Sequence, residues 1–182
     1  MLKSIQKIFL KRSIDKNLEN RDVSKINDQL HTIGFLVDKE INIAFEKFYE
    51  ISKDLELHEK DVKLFFFSEV NTKTPTLHQN KINNKHFSWN GEIQNKNAND
   101  FLEIPFDVLV GYYRTKNSYL DLMISKSNAK FKVGFKEIDN RLFDLLIDVD
   151  PLNINVIREE LVKYFRVLNK INLKKSHLKC RL

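Results

Sequence analysis

Asp144, Asp148 and Asp150 are the carboxylates in this chain best spaced for acid and base chemistry. On a strand, Asp148 and Asp150 would point to the same side. They would also sit near its carboxyl end, where open α/β sheets bind ligands. Lys126 could anchor an anion beside such a pair, which makes an acid, a base and an anchor. Trp89, next to Asn90 and Gly91, could stack on a ligand. The candidate ligand pocket is therefore Trp89, Lys126, Asp148 and Asp150. Each also has a structural use: aspartates after a strand cap helices, a lone Trp closes a loop onto the core, and Lys126-Ser127-Asn128 suits a helix end.

Several chemistries lack their residues. Phosphate cradles need clustered glycines, whose bare backbone can approach an anion, and the chain has only four, dispersed at 34, 91, 111 and 134. Neither a Walker loop nor a GxGxxG turn is present, and no GxSxG nucleophile elbow occurs. Zinc sites use closely spaced Cys and His, and His31, His58, His78, His86 and His177 offer no such pair. His78 and His86 share one Asn-rich segment without an acid between them. The expectation is no metal, no cofactor and no assigned catalytic residue. Cys180, flanked by Lys179 and Arg181, is the one cysteine, so no intramolecular disulfide can form and nothing points to an oxidising compartment. The apolar run Ile8-Phe9-Leu10 is too short for a signal-peptide core or a membrane span, and the cytoplasm is the expected location.

Charge is segregated within a net +6. Residues 1–25 carry seven Lys or Arg against three acids, and residues 170–182 carry five bases and no acid, which leaves the body net acidic. Lys3, Lys7, Lys11 and Arg12 at one end, and Lys174, Lys175, Lys179 and Arg181 at the other, suit an anionic partner. Lys outnumbers Arg by 24 to 7, and Lys supplies point charges for phosphate where base reading favours Arg forks. The leading expectation is a non-enzymatic module binding structured RNA or the ribosome. The second is an anionic membrane surface, with Leu2, Ile5, Ile8 and Phe9 dipping into the interface. A small-ligand enzyme at the carboxyl ends of the sheet is third.

These residues need a scaffold, and one domain of 182 residues suffices. Phe106–Tyr113 and Ala129–Phe135 are β-prone runs flanking a helical stretch, Asn117–Asn128, the signature of a buried parallel sheet. Gln29–Val37 and Lys63–Phe67 flank a helix at Ile41–Leu55, with Asp38 as its cap and an apolar stripe at 41, 44, 45, 48 and 55. Residues 2 to about 20 form a helix with Leu2, Ile5, Ile8 and Phe9 on one side. Residues 68–99 read mostly as loop, with a short strand near Phe87 and a helix at Ala98–Leu102. Arg141–Val149 starts helical and ends as a strand, and Ile154, Ile157, Leu161, Tyr164, Phe165, Leu168 and Ile171 face one way on a last helix. The predicted fold is α/β: a single three-layer domain with a mostly parallel central sheet. A basic amphipathic helix occupies residues 1–25, the α/β body residues 26–171, and a basic mobile tail residues 172–182.

Four stretches, Phe87-Ser-Trp-Asn-Gly-Glu-Ile93, Phe106-Asp-Val-Leu-Val-Gly-Tyr-Tyr113, Asn128-Ala-Lys-Phe-Lys-Val-Gly-Phe135 and Tyr164-Phe-Arg-Val-Leu-Asn-Lys-Ile171, resemble an uncharacterised family of small cytoplasmic proteins of Bacteroidota. The likeness spans roughly residues 1–171 and implies a stand-alone bacterial domain without bringing an activity. Ala129–Phe135 is also similar to an apolar strand in the N-terminal half of heptosyltransferase-type glycosyltransferases. Their nucleotide-sugar-binding half has no counterpart here, so that likeness bears on fold alone.

Overall fold

The computed structural model describes residues 2–69 and 80–172, with side chains from Ile5 onward. In chain order the elements are α1 (Leu2–Glu19), β1 (Ile33–Asp38), α2 (Glu46–Asp54), β2 (Val62–Ser68), β3 (Lys81–Asn83), α3 (Lys96–Glu103), β4 (Val108–Tyr112), α4 (Ser118–Lys126), β5 (Phe131–Phe135), β6 (Leu145–Ile147) and α5 (Ile154–Val167). The six strands form one sheet in the order β3-β2-β1-β4-β5-β6, and every pairing is parallel. The chain builds outward from β1, returns to lay β4 on its other side, and builds outward again. The reversal between β1 and β4 is the switch point at which open sheets of this kind hold ligands.

Strand alternation divides the core. Ile33, Phe35, Val37, Val108, Val110, Tyr112, Phe131, Val133 and Phe135 face α2 and α5. Leu36, Phe65, Phe67 and Leu109 face α1, α3 and α4. Connections leading opposite ways from the centre put α2 and α4 on opposite faces, as crossovers of one hand require. Leu120–Ser125 of α4 are all buried, Asp121 and Ser125 included, because that helix lies between the sheet and α1. Gly111 and Gly134 let Phe143 approach the sheet: a Cβ on either would stand 3.0 or 2.8 Å from its ring.

The sequence expectations need four corrections. The helix after β1 starts late, because Asp38 caps a 3-10 turn, Lys39–Ile41, that ends on Asn42 in the left-handed region, a conformation Asn tolerates. Ala44 and Phe45 are thus exposed, and Ile41, Phe48, Ile51 and Leu55 make the contact instead. The short strand of the Asn-rich region is β3, and Phe87 makes only a bridge to Ile93. At the far end, Leu168 lies past α5 and is exposed.

The fourth concerns α1. Its core contacts, Leu10 and Ile14, lie outside the apolar side read from the sequence, whose Ile5 and Ile8 are 43% and 52% exposed. The predicted tail, with Lys174, Lys175, Lys179 and Arg181, falls outside the described residues from 173 on.

Candidate functional site

The N-terminal turns of α1 are fixed by polar contacts. Gln6 donates to the Ser88 carbonyl (3.2 Å) and accepts from Tyr119 Oη (3.3 Å), and Asn17 donates to Ser125 Oγ (3.0 Å). Tyr119 and Ser125 lie in the first and last turns of α4, so α1 runs parallel to α4 and begins at the carboxyl end of the sheet. Phe87–Ile93 folds back on itself. Ser88 N–H donates to the Glu92 carbonyl (2.9 Å) and Gly91 N–H to the Ser88 carbonyl (3.1 Å). Gly91, at φ 86°, lies against Leu10 and Ser13, where positive φ favours glycine.

This hairpin presents Trp89, 65% exposed, edge-on to Phe9 with centroids 5.2 Å apart. Arg12 lies over the Phe9 ring at 5.9 Å. Ile5, Ile8, Phe9 and Trp89 thus make an apolar tip, and Lys7, Lys11 and Arg12 are exposed beside it. None of these three cations is in the ion pairs of the described residues. Lys3 lies on the same helix, its side chain outside the description.

The predicted pocket does not assemble. Asp148 pairs with Lys136 in the open (3.0 Å). Asp150 accepts from Leu152 N–H (3.0 Å) as a turn cap and stands 3.4 Å from Arg114. Lys126 ends α4, which runs from the carboxyl end of β4 to the amino end of β5, so it lies across the sheet from both aspartates. Its neighbours there include Pro105, Asn128 and Lys130. Trp89 faces α1 rather than any of them. Asp144 takes Arg21 through both oxygens (3.0 and 2.5 Å) and Lys132 N–H at 2.7 Å, which locks the end of α1 to the β5–β6 edge.

The Asn-rich region supplies caps. Asn83 accepts from Lys85 N–H (3.0 Å) and Asn95 from Ala98 N–H (2.9 Å). His86 Nδ1 accepts from Asn83 N–H (3.2 Å), which gives that nitrogen a local structural use, and His78 falls outside the described residues. Among those residues, no group of three His, Cys, Asp or Glu is placed to hold a metal.

Sequence reasoning missed the buried polar groups. Asp107 accepts from His31 N–H (2.9 Å), Thr32 N–H (2.8 Å), Thr32 Oγ1 (3.1 Å) and Lys130 Nζ (2.8 Å). Burial raises its pKa, but these donors outweigh it and hold the carboxyl below the usual range. Lys170 Nζ donates to the Ile26 and Asp28 carbonyls (2.8 and 3.1 Å) and lies 4.2 Å from the Phe131 ring centroid. Asp121 is buried and accepts from Tyr113 Oη (2.8 Å). Burial, helped by Asp139, raises its pKa to about 6.

Lys132 Nζ donates to the Ile124 carbonyl (2.7 Å). Burial, with Arg21 nearby, lowers its pKa to about 7. A lysine inside the apolar run Phe131-Lys132-Val133 was a readable signal. Asp107 and Asp121 carried the same signal, in Phe106-Asp107-Val108 and Leu120-Asp121-Leu122, but the backbone donors of Asp107, His31 and Thr32, come from distant chain.

No helix among the described residues is long and apolar enough to cross a membrane. No curated protein and no solved structure matches the chain. Residues 6–168 match the model of DUF6913, a family of unknown function, and the chain belongs to that family.

Proposed function

We propose that this protein is a non-enzymatic module that docks peripherally on an anionic membrane surface from the cytoplasm, through the start of α1 and the Trp89 turn. The carrying observation is that the apolar side of α1 faces solvent: Ile5 at 43%, Ile8 at 52% and Trp89 at 65% exposure, next to the exposed Lys7, Lys11 and Arg12. Apolar surface left in water costs about 25 cal/mol per Å², and aliphatic groups gain nothing from a phosphate backbone. At a lipid interface the isoleucines and Trp enter the headgroup boundary while the cations meet anionic lipid.

The runner-up is RNA or the ribosome, contacted by the same cations together with Lys174, Lys175, Lys179 and Arg181. One observation favours it: the open Trp89 ring lies beside Phe9 and Arg12, an arrangement on which a base could stack.

Sedimentation with vesicles separates the two readings. The full chain should pellet with phosphatidylserine-containing vesicles and not with phosphatidylcholine alone. Ile8→Asp should abolish pelleting without changing retention of a single-stranded RNA. Undiminished pelleting of Ile8→Asp would overturn the membrane reading. Salt-sensitive binding to RNA alone would replace it with the nucleic-acid one.

A further inference from the structure

On the opposite face from α1, the sheet between α2 and β3 carries a groove of about 670 Å³, within the range of small-molecule sites. Its apolar wall includes Ile43, Phe45, Tyr49, Leu64 and Phe66. Phe45 is 54% exposed and stands edge-on to Tyr49. Lys39 and Lys81 both line the groove, level with the carboxyl half of β2, where Lys81 pairs with Phe66.

The two lysines flank the carboxyl half of β2: Lys39 follows Asp38, which pairs with Phe67, and Lys81 pairs with Phe66. Burial and then the charge of Lys39 lower the Lys81 pKa. Neither lysine is in an ion pair among the described residues. The two acids of the groove do not neutralise them. Asp38 accepts from Glu40 N–H (3.1 Å) in its own turn, where burial raises its pKa, and Glu59 lies just before the amino end of β2, away from both lysines. Lys39, Lys63 and Lys81 outnumber the two acids that line the groove, Asp38 and Glu59, which leaves it net positive and suited to an anion.

We propose that this groove binds a small amphipathic anion: a carboxylate or phosphate head between Lys39 and Lys81, with a medium-length alkyl chain along Phe66, Leu64 and Tyr49. The site is separate from the α1 surface, so neither proposal depends on the other.

Calorimetric titration of the full chain tests it, with decanoate and decyl phosphate as monomers and decyl maltoside as the uncharged control. Both anions should bind saturably, at least about tenfold tighter than the control, as one charge-assisted contact implies. Lys39→Gln with Lys81→Gln should weaken both by about tenfold or more. Ala44→Trp, which fills the groove from an exposed position, should block both, and Ile8→Asp should leave them unchanged. Absence of saturable binding by either anion would overturn the proposal, as would equal affinity for decyl maltoside. Binding to phosphatidic acid vesicles without binding of monomeric decyl phosphate would also overturn it, since the anion would then be met at a membrane and not in the groove.

Discussion

At the amino ends of β1, β4 and β5, Asp107 satisfies four donors and Lys130 bridges Asp107 to Asp28 (2.8 and 2.9 Å). At the carboxyl ends, Lys39 and Lys81 line one groove, and the start of α1 leaves isoleucines, Trp89 and lysines in solvent. Buried polar groups are destabilising unless satisfied, so the first arrangement belongs to folding. Exposed apolar groups and unpaired charge do nothing for the isolated fold, and the two proposed contacts rest on the second. The amino end holds the α1–β1 connection and the segment after α5 in place. At the carboxyl end, where parallel sheets bind ligands, Tyr113–Asp121, Lys136–Asp148 and Arg114–Asp150 are paired, whereas the α1 tip and the groove lysines stay outside the ion pairs of the described residues.

The sharpest way to break this contrast is Asp107→Ala, which takes the acceptor from two backbone N–H groups and leaves Lys130 with Asp28 alone. It should cost about 3–5 kcal/mol in urea unfolding, and a loss below about 1 kcal/mol would show that the cluster is not a clasp.

Asp121→Asn should act in the other direction. With its folded pKa raised to about 6 from the ordinary 3.8, the folded state holds a proton that the unfolded chain releases. The Asp121 contribution to stability therefore falls as pH rises from about 4 to about 6 and is flat above. The substitution should remove that slope and stabilise at pH 7 by up to about 3 kcal/mol, with little effect at pH 4. Unfolding at the two pH values checks it.

Midway along the sheet, Gly134→Ala forces a Cβ to within 2.8 Å of Phe143 and Ile138 and should cost about 2 kcal/mol in thermal melts. Ile8→Asp should change stability by less than about 0.5 kcal/mol, and a larger loss would mean that the α1 tip is part of the core.

The strands around Phe106–Phe135 were legible because buried parallel strands read as apolar runs whatever covers them. The orientation of α1 was not. Leu2, Ile5, Ile8 and Phe9 form one apolar side and Leu10 and Ile14 another, and periodicity cannot rank two stripes. Gln6, Asn17 and the Phe87–Ile93 hairpin decide between them through contacts more than eighty residues away in sequence. The pocket of Lys126 with Asp148 and Asp150 failed for a similar reason: a helix carries its last residue to the opposite end of the sheet from its first. Asp150 accepts from Leu152 N–H in a turn ahead of α5, whose N-cap position is Asn153, so it caps that turn and not the helix.

Trp89 is the one tryptophan of the chain, and it sits in the proposed docking surface, so its fluorescence reports on the central claim directly. Titration with phosphatidylserine vesicles should shift its emission to shorter wavelength, and lipids brominated along the acyl chain should quench it. Neither should occur with phosphatidylcholine alone. An emission unchanged by anionic vesicles, at concentrations where the full chain stays folded, would contradict the account.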